Sequence, residues 1–112
     1  MAVKCEDYNH VCVMTPTGDF TAGEAKIARK AVEARIVRKQ LAGFILDCEK
    51  VGFIDSEGLA TLLWMKQMVD DLLGQLKLVN LDENCRKILE ITRLDHRFEC
   101  HKDLASALRT MR

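Results

Sequence analysis

Proline is almost missing from this chain: Pro16 is the only one in 112 residues. With no low-complexity stretch and no internal repeat either, nothing marks a linker, and one domain over residues 1–112 is expected. Aromatic residues are scarce, with one Trp, one Tyr and four Phe, so the core has to be mainly aliphatic. Net charge is lacking as well: 17 basic side chains balance 17 acidic ones. A nucleic-acid ligand usually needs a basic excess to neutralise phosphates, so no nucleic-acid partner is expected. No run approaches the roughly 20 apolar residues that span a bilayer. The segment Met1 to Tyr8 carries Lys4, Glu6 and Asp7 and has no apolar signal core, so a cytoplasmic protein is expected.

Cysteines are present at 5, 12, 48, 85 and 100, but no two form a Cys-x-x-Cys pair. The odd number argues against a disulfide framework, and the missing close spacing argues against zinc. They read as small buried hydrophobes, and no metal and no cofactor are expected. His10, His96 and His101 show no spacing that points to catalysis or metal binding. There is no phosphate-cradling glycine loop and no nucleophile–base arrangement, so the chain does not read as an enzyme.

What is present is an alternation of β-favouring and helix-favouring segments. Val3 to Asp7 and Val11 to Met14 read as strands around a Tyr8-Asn9-His10 turn. Pro16-Thr17-Gly18-Asp19 is a turn cluster. Thr21 and Glu24 have the spacing of a capping box at the head of a helix from Ala22 to Gln40. Ala25, Ala28, Val32 and Ile36 form its buried stripe, and its other face is rich in Lys and Arg. Gly43 to Asp47 reads as a buried strand. A second long helix is expected from about Ser56 to Leu73, closed by Gly74. At about 100° per residue, Leu62, Met65, Val69, Leu72 and Leu73 share its apolar arc, with Trp64 at the edge and partly buried. Leu76 to Leu81 is a strand, Asn84 caps a third helix through Ile91, Phe98 to Cys100 is a short strand, and Asp103 caps a last helix. The order ββαβαβαβα predicts an α/β domain of two layers, a mixed, mostly parallel sheet of about five strands with four helices.

One segment carries chemistry. In Phe53-Ile54-Asp55-Ser56-Glu57-Gly58-Leu59, two acidic residues flank a serine where a loop gives way to a helix. A helix N-terminus presents unpaired N–H groups and a partial positive charge, and it receives phosphate readily. On residues alone, Asp55 or Ser56 is equally a simple N-cap and Gly58 a relief of crowding.

The segment resembles the signature of STAS domains, the fold family of sulfate-transporter cytoplasmic domains and bacterial anti-sigma factor antagonists. In that signature a strand is followed by Asp-Ser-x-Gly-Leu at the start of the second helix. Gly18-Asp19-Phe20 is similar to the family's turn before the first helix, and Phe44-Ile45-Leu46-Asp47 to its central strand. Leu78-Val79-Asn80, Leu94 to Phe98 and Asp103 to Leu108 follow in the family's order. The resemblance implies an anti-sigma factor antagonist. Such a partner-switching protein binds an anti-sigma serine kinase of the histidine-kinase-like fold and is released when phosphorylated. By position Ser56 is the phosphoacceptor, a phosphatase reverses the modification, and Asp19, Thr21, Asp55, Ser56, Glu57, Gly58 and Leu59 form the partner-binding surface. Two residues depart from the pattern. Glu57 stands where Ser or Thr is common, and Thr21 where many antagonists have Asp. The resemblance leaves two other roles open, an accessory subunit bound to a transporter ATPase and a scaffold of a signalling complex.

Overall fold

The computed structural model describes residues 3–112. Strands β1 (Val3–Tyr8) and β2 (Val11–Pro16) form an antiparallel hairpin whose turn places Asn9 at a positive φ of 57°. Helix α1 (Ala22–Lys39), strand β3 (Gly43–Asp47), helix α2 (Ser56–Asp71), strand β4 (Gln75–Val79) and helix α3 (Glu83–Ile91) follow. A 3-10 turn at Asp95–Arg97, strand β5 (Glu99–His101) and helix α4 (Leu104–Arg109) complete the chain. The sheet order is β1-β2-β3-β4-β5, with every pair after the first parallel. The expected ββαβαβαβα order and mixed sheet are therefore present.

Alternation along the central strands sorts the side chains between two faces. Cys12, Met14, Phe44, Leu46, Leu76 and Leu78 turn towards Ala25, Ala28 and Val32 of α1 and Leu62, Met65 and Val69 of α2. This is the aliphatic core that the composition required. Val11, Val13, Ile45 and Val79 face the other way, onto Ala107 and the flanking Leu104 and Leu108 of α4. Sheet and α1–α3 form the two expected layers, and the short α4 covers part of the reverse face.

Lys77 is the one buried Lys or Arg among the described residues and is 1% exposed. Its Nζ donates to Ala107 O at 3.3 Å and to Thr110 Oγ1, and pairs with Glu99 Oε2 at 3.1 Å. A buried ammonium without partners is costly, so these contacts fix α4 to β4 and β5. Glu99 is held below the usual glutamate range, first by the hydrogen bond with His101 and then by Lys77. The unfolded chain therefore binds this proton more readily than the folded one. The stability from Glu99 is full above the ordinary value of 4.5 and is lost as pH falls through the lower folded value. Glu99→Gln is expected to flatten the acid limb of stability below about pH 4.5, read by denaturant titration at several pH values.

Several sequence expectations shift. The C-terminus of α2 comes at Asp71, so Leu72 and Leu73 leave the apolar arc and are exposed by 47% and 88%. Gly74 is not the left-handed residue that closes α2. Leu73 takes that conformation, at φ 58°, while Gly74 is needed because a Cβ there would stand 2.0 Å from the Ala42 carbonyl oxygen. Asn84 does not cap α3; Asp82 does, accepting from Cys85 N at 2.7 Å. The last strand starts one residue later than expected, at Glu99, leaving Phe98 buried ahead of it. Thr21 stands at the N-cap of α1, but its hydroxyl donates to Glu24 Oε1 at 3.1 Å and accepts nothing from the helix backbone. Trp64 is partly buried against the core, as expected, with the Arg29 guanidinium 4.3 Å from its ring centroid.

Candidate functional site

The loops that leave the C-terminal ends of β2, β3 and β4 meet at one pole, and backbone hydrogen bonds stitch them together. Phe20 is fully buried just before α1. Its N–H donates to Phe53 O at 2.9 Å, and its carbonyl accepts from Asp55 N at 3.4 Å. This parallel bridge between Phe20 and Ile54 joins the loop before α1 to the loop before α2. Ile54 is thereby turned into the core, and Phe53 is turned out, with 45% of its surface exposed.

Side chains add further ties. Asp19 Oδ1 accepts from Gly52 N at 3.1 Å, and Asn84 Nδ2 donates to Gly52 O at 2.7 Å. Asp47 Oδ1 accepts from Glu49 N at 3.1 Å and from Asn80 Nδ2 at 3.0 Å. Beneath this loop Cys85 Sγ donates to Val51 O at 3.5 Å. Burial pushes the Cys85 thiol up to about 12 and the Cys48 thiol well above its ordinary value, so both stay neutral packing groups.

At the centre of this pole α2 begins. Asp55 is its N-cap, with backbone in the extended region and its carboxylate accepting from Gly58 N at 2.8 Å. The sequence left open whether Asp55 or Ser56 caps, and the cap is Asp55. Ser56 is the first helical residue, is exposed, and its hydroxyl has no hydrogen-bond partner among the described residues. It sits at the positive end of a helix of 16 residues. Glu57 follows, also exposed, and is the acidic residue of the first turn.

Gly58 is buried, and a Cβ on it would lie 2.2 Å from Phe20 O and 2.9 Å from Ile54 Cγ2. It lets α2 approach the bridge and offers no surface of its own. Leu59 is half-buried against the core. Of the residues that the resemblance singled out, Asp19, Asp55, Ser56 and Glu57 thus share one pole, Thr21 and Leu59 lie half-buried at its edge, and Gly58 is underneath.

Two residues escaped the sequence reading. Phe53 presents an exposed apolar ring just ahead of α2, and Asn84 ties α3 to Gly52. In the run Val51-Gly52-Phe53-Ile54 either apolar residue of the last pair could have been the buried one. Only the bonds to Phe20, a contact between distant segments, decide which.

The arrangement presents an exposed hydroxyl, an apolar ring and three carboxylates on rigid backbone. No group of three or more His, Cys, Asp or Glu that could hold a metal occurs among the described residues. No helix among them is long and apolar enough to cross a membrane.

Comparison with known proteins gives the same architecture. A protein of Thermotoga maritima, provisionally described as an anti-sigma factor antagonist, superposes with a TM-score of 0.89 at 19% identity, over 97% of this chain and 93% of its own. An anti-sigma-factor antagonist (STAS) domain protein from Planctomyces limnophilus gives 0.82 at 19% identity, over 97% of each chain. The anti-sigma factor antagonist SpoIIAA in its unphosphorylated form gives 0.77 at 16% identity, over 96% of this chain and 94% of its own. The phosphorylated form of SpoIIAA, a Bacillus cell fate determinant, gives 0.76 at 18% identity, over 96% and 98%. No curated protein sequence matches. At such identities the superpositions establish the fold alone. The STAS domain model, however, matches residues 2–107, and the chain accordingly belongs to the STAS domain family.

Proposed function

We propose that this protein is an anti-sigma factor antagonist, a non-enzymatic partner-switching regulator. Unmodified, it binds a serine kinase of the histidine-kinase-like fold through the pole that carries Phe53, Asp55, Ser56, Glu57, Leu59, Asp19 and Thr21. Phosphorylation of Ser56 by that kinase releases it, and a phosphatase resets it. The observation that carries this reading is the Ser56 hydroxyl, exposed and unbonded at the first position of α2. A kinase needs an acceptor it can reach without breaking the fold, and a hydroxyl committed to capping would not qualify.

Two further features support it. SpoIIAA, which shares the fold, exists in phosphorylated and unphosphorylated forms. The chemistry of release also fits this surface. A phosphate adds about −1.5 to −2 charges at neutral pH. Here it would follow Asp55 and precede Glu57 in the chain, at the pole where Phe53 is exposed. In an interface centred on Phe53 it would lose water without gaining a cation, so binding weakens, while the helix N-terminus keeps the fold tolerant of it.

The protein isolated from its own cells is expected to contain a fraction heavier by one phosphate, placed on Ser56 by fragment mass spectrometry and absent from Ser56→Ala. A kinase of the stated class is expected to co-purify with the unmodified fraction only. Copurification of a transporter ATPase with an unmodified Ser56 would overturn the kinase reading and favour the accessory-subunit role.

A further inference from the structure

The five cysteines differ in setting. Cys12, Cys48 and Cys85 are buried, Cys100 is exposed, and Cys5 lies between these extremes. Cys5 and Cys12 also meet each other. In the β1–β2 hairpin Cys5 stands opposite Met14, and Cys12 stands opposite Asp7. Residues two apart on a strand share a face, so the two thiols are diagonal neighbours on one side of the hairpin. That side faces the main core: Cys12 belongs to it, and Cys5 packs against it. The thiols are in hydrogen-bond contact, with Cys12 donating to the Cys5 sulfur. Cys5 Sγ also lies 3.9 Å from the Val3 carbonyl oxygen.

Helix α1 brings a cation to this pair. Arg35 Nε donates to Asp7 Oδ1 at 3.0 Å, and Asp7 is the residue opposite Cys12. The Arg35 side chain is 20% exposed, so its charge is weakly screened. Lys39 takes the other Asp7 oxygen at 2.7 Å, which leaves that carboxylate matched by two cations. The hydrogen bond from Cys12, and after it the Arg35 charge, hold the Cys5 thiol below its ordinary value, at about 7, against burial and Asp7. Cys12 is pushed up, first by the same hydrogen bond and then by burial. At neutral pH one sulfur of the pair is therefore an accessible thiolate, and its neighbour keeps a proton.

We propose that Cys5 and Cys12 form a redox-active dithiol that hydrogen peroxide converts, reversibly, to a disulfide within the chain. Cys5 attacks and Cys12 resolves. The Cys5 thiolate attacks one peroxide oxygen, the O–O bond breaks, hydroxide leaves and takes up a proton, and Cys5 becomes a sulfenic acid. The Cys12 sulfur then attacks the Cys5 sulfur. An S–S bond forms, the S–O bond breaks, and the oxygen departs as water with the Cys12 proton. Across both steps the two thiols give up two electrons and two protons, and the peroxide becomes two waters. Closing the bond brings the sulfurs to about 2.05 Å. Strand β1 lies at the edge of the sheet and is bonded on one side only, so it is free to make the small shift required. The inference does not rest on the function proposed above.

The test is intact-mass analysis and peptide mapping of the full chain after exposure to hydrogen peroxide, with Cys100 as internal reference. The wild type is expected to lose two hydrogens, with Cys5 joined to Cys12, and to regain them with a dithiol reductant. At neutral pH Cys5 should react at least about fivefold faster than Cys100, whose thiol is pushed up by burial, because the larger thiolate fraction outweighs the lower nucleophilicity of a more acidic thiol. Its rate should rise through about pH 7 rather than at the ordinary cysteine value of 9.0. Cys12→Ala, which keeps that core position small and apolar, should react more slowly at Cys5 and stop at a sulfenic acid that dimedone traps. Cys5→Ser should abolish the bridge and leave Cys12 unmodified. Arg35→Gln should slow the reaction and move its pH midpoint up, and Arg35→Lys should restore part of both. Thermal melting checks that each variant is folded. A Cys5 that reacts no faster than Cys100 overturns the proposal. So does a disulfide that joins Cys5 to a second molecule, or a folded Cys12→Ala chain that yields no trapped sulfenic acid.

Discussion

Under the proposed partner switch, replacing Ser56 by Asp is expected to weaken binding of the proposed kinase partner by about a hundredfold or more, while the melting temperature stays within about 2 °C of the wild type. The two halves of this result have separate causes. A hundredfold loss corresponds to about 2.7 kcal/mol, the scale of an unpaired charge desolvated in an interface. The carboxylate would lie between Asp55 and Glu57 in the sequence, at a pole where Phe53 is also exposed. The folded state loses little, because the Ser56 hydroxyl bonds to nothing among the described residues and the cap is made by Asp55. An acidic residue in the first turn even interacts favourably with the helix dipole, by about 0.3–1 kcal/mol. Isothermal titration with the partner and thermal melting measure the two quantities on one preparation. Unchanged binding would remove Ser56 from the interface. A parallel drop in both would make it a structural residue. Asp55→Ala, by contrast, should lose about 1 kcal/mol of stability with the cap.

The second large effect is expected at Gly58. Helix propensity alone favours Gly58→Ala by about 1 kcal/mol. Packing opposes it, since the added Cβ would meet Phe20 O at 2.2 Å and Ile54 Cγ2 at 2.9 Å. The first of these atoms is backbone, and it belongs to the bridge that joins the two loops. It cannot rotate away, so α2 must shift or the bridge must open. Overpacking of this kind costs about 1–3 kcal/mol and occasionally more; set against the propensity gain, the net expectation is a loss of about 1–2 kcal/mol, or roughly 5–10 °C in melting temperature. Gly18→Ala is the control: nothing lies within 4 Å of its added Cβ, so no steric loss is expected. If Gly58→Ala were as stable as the wild type, the close approach of α2 to Phe20 would be wrong. The same variant should also weaken binding of the proposed kinase partner, because the Phe20–Ile54 bridge places Phe53 and the start of α2.

Much of the fold was legible in the sequence because local patterns report burial directly. The short β-favouring run Val11–Met14 and the apolar run Phe44-Ile45-Leu46 are strands. Ala25, Ala28 and Val32 at helical spacing form the buried stripe of α1, and Asp103 caps α4, accepting from Ser106 N at 2.9 Å. The order of elements then restricts the sheet to a mixed, mostly parallel one. The site was legible to the same extent: Asp-Ser-Glu-Gly at a loop-to-helix junction places a serine at a positive helix end without any knowledge of its neighbours.

Tertiary structure alone decided what depends on contacts between distant segments. Gly74 reads as a helix terminator, but the Ala42 carbonyl, more than thirty residues away, is what forbids a side chain there, and the left-handed turn falls to Leu73. Asp82 and Asn84 are equally good caps by type; the claim of Gly52 O on the Asn84 amide leaves the capping to Asp82. Lys77 stands between Leu76 and Leu78 in the sequence, and only the folding of α4 over it buries it, with Glu99 pairing with its ammonium and Thr110 Oγ1 accepting from it. Phe53 is outside and Ile54 inside because Phe20, from another loop, binds the backbone between them. The sequence determined which segments are strands and helices and that Ser56 stands at the head of α2, because periodicity and capping act over a few residues. Which residues surround that serine was left to the packing of loops that are neighbours only in the folded chain.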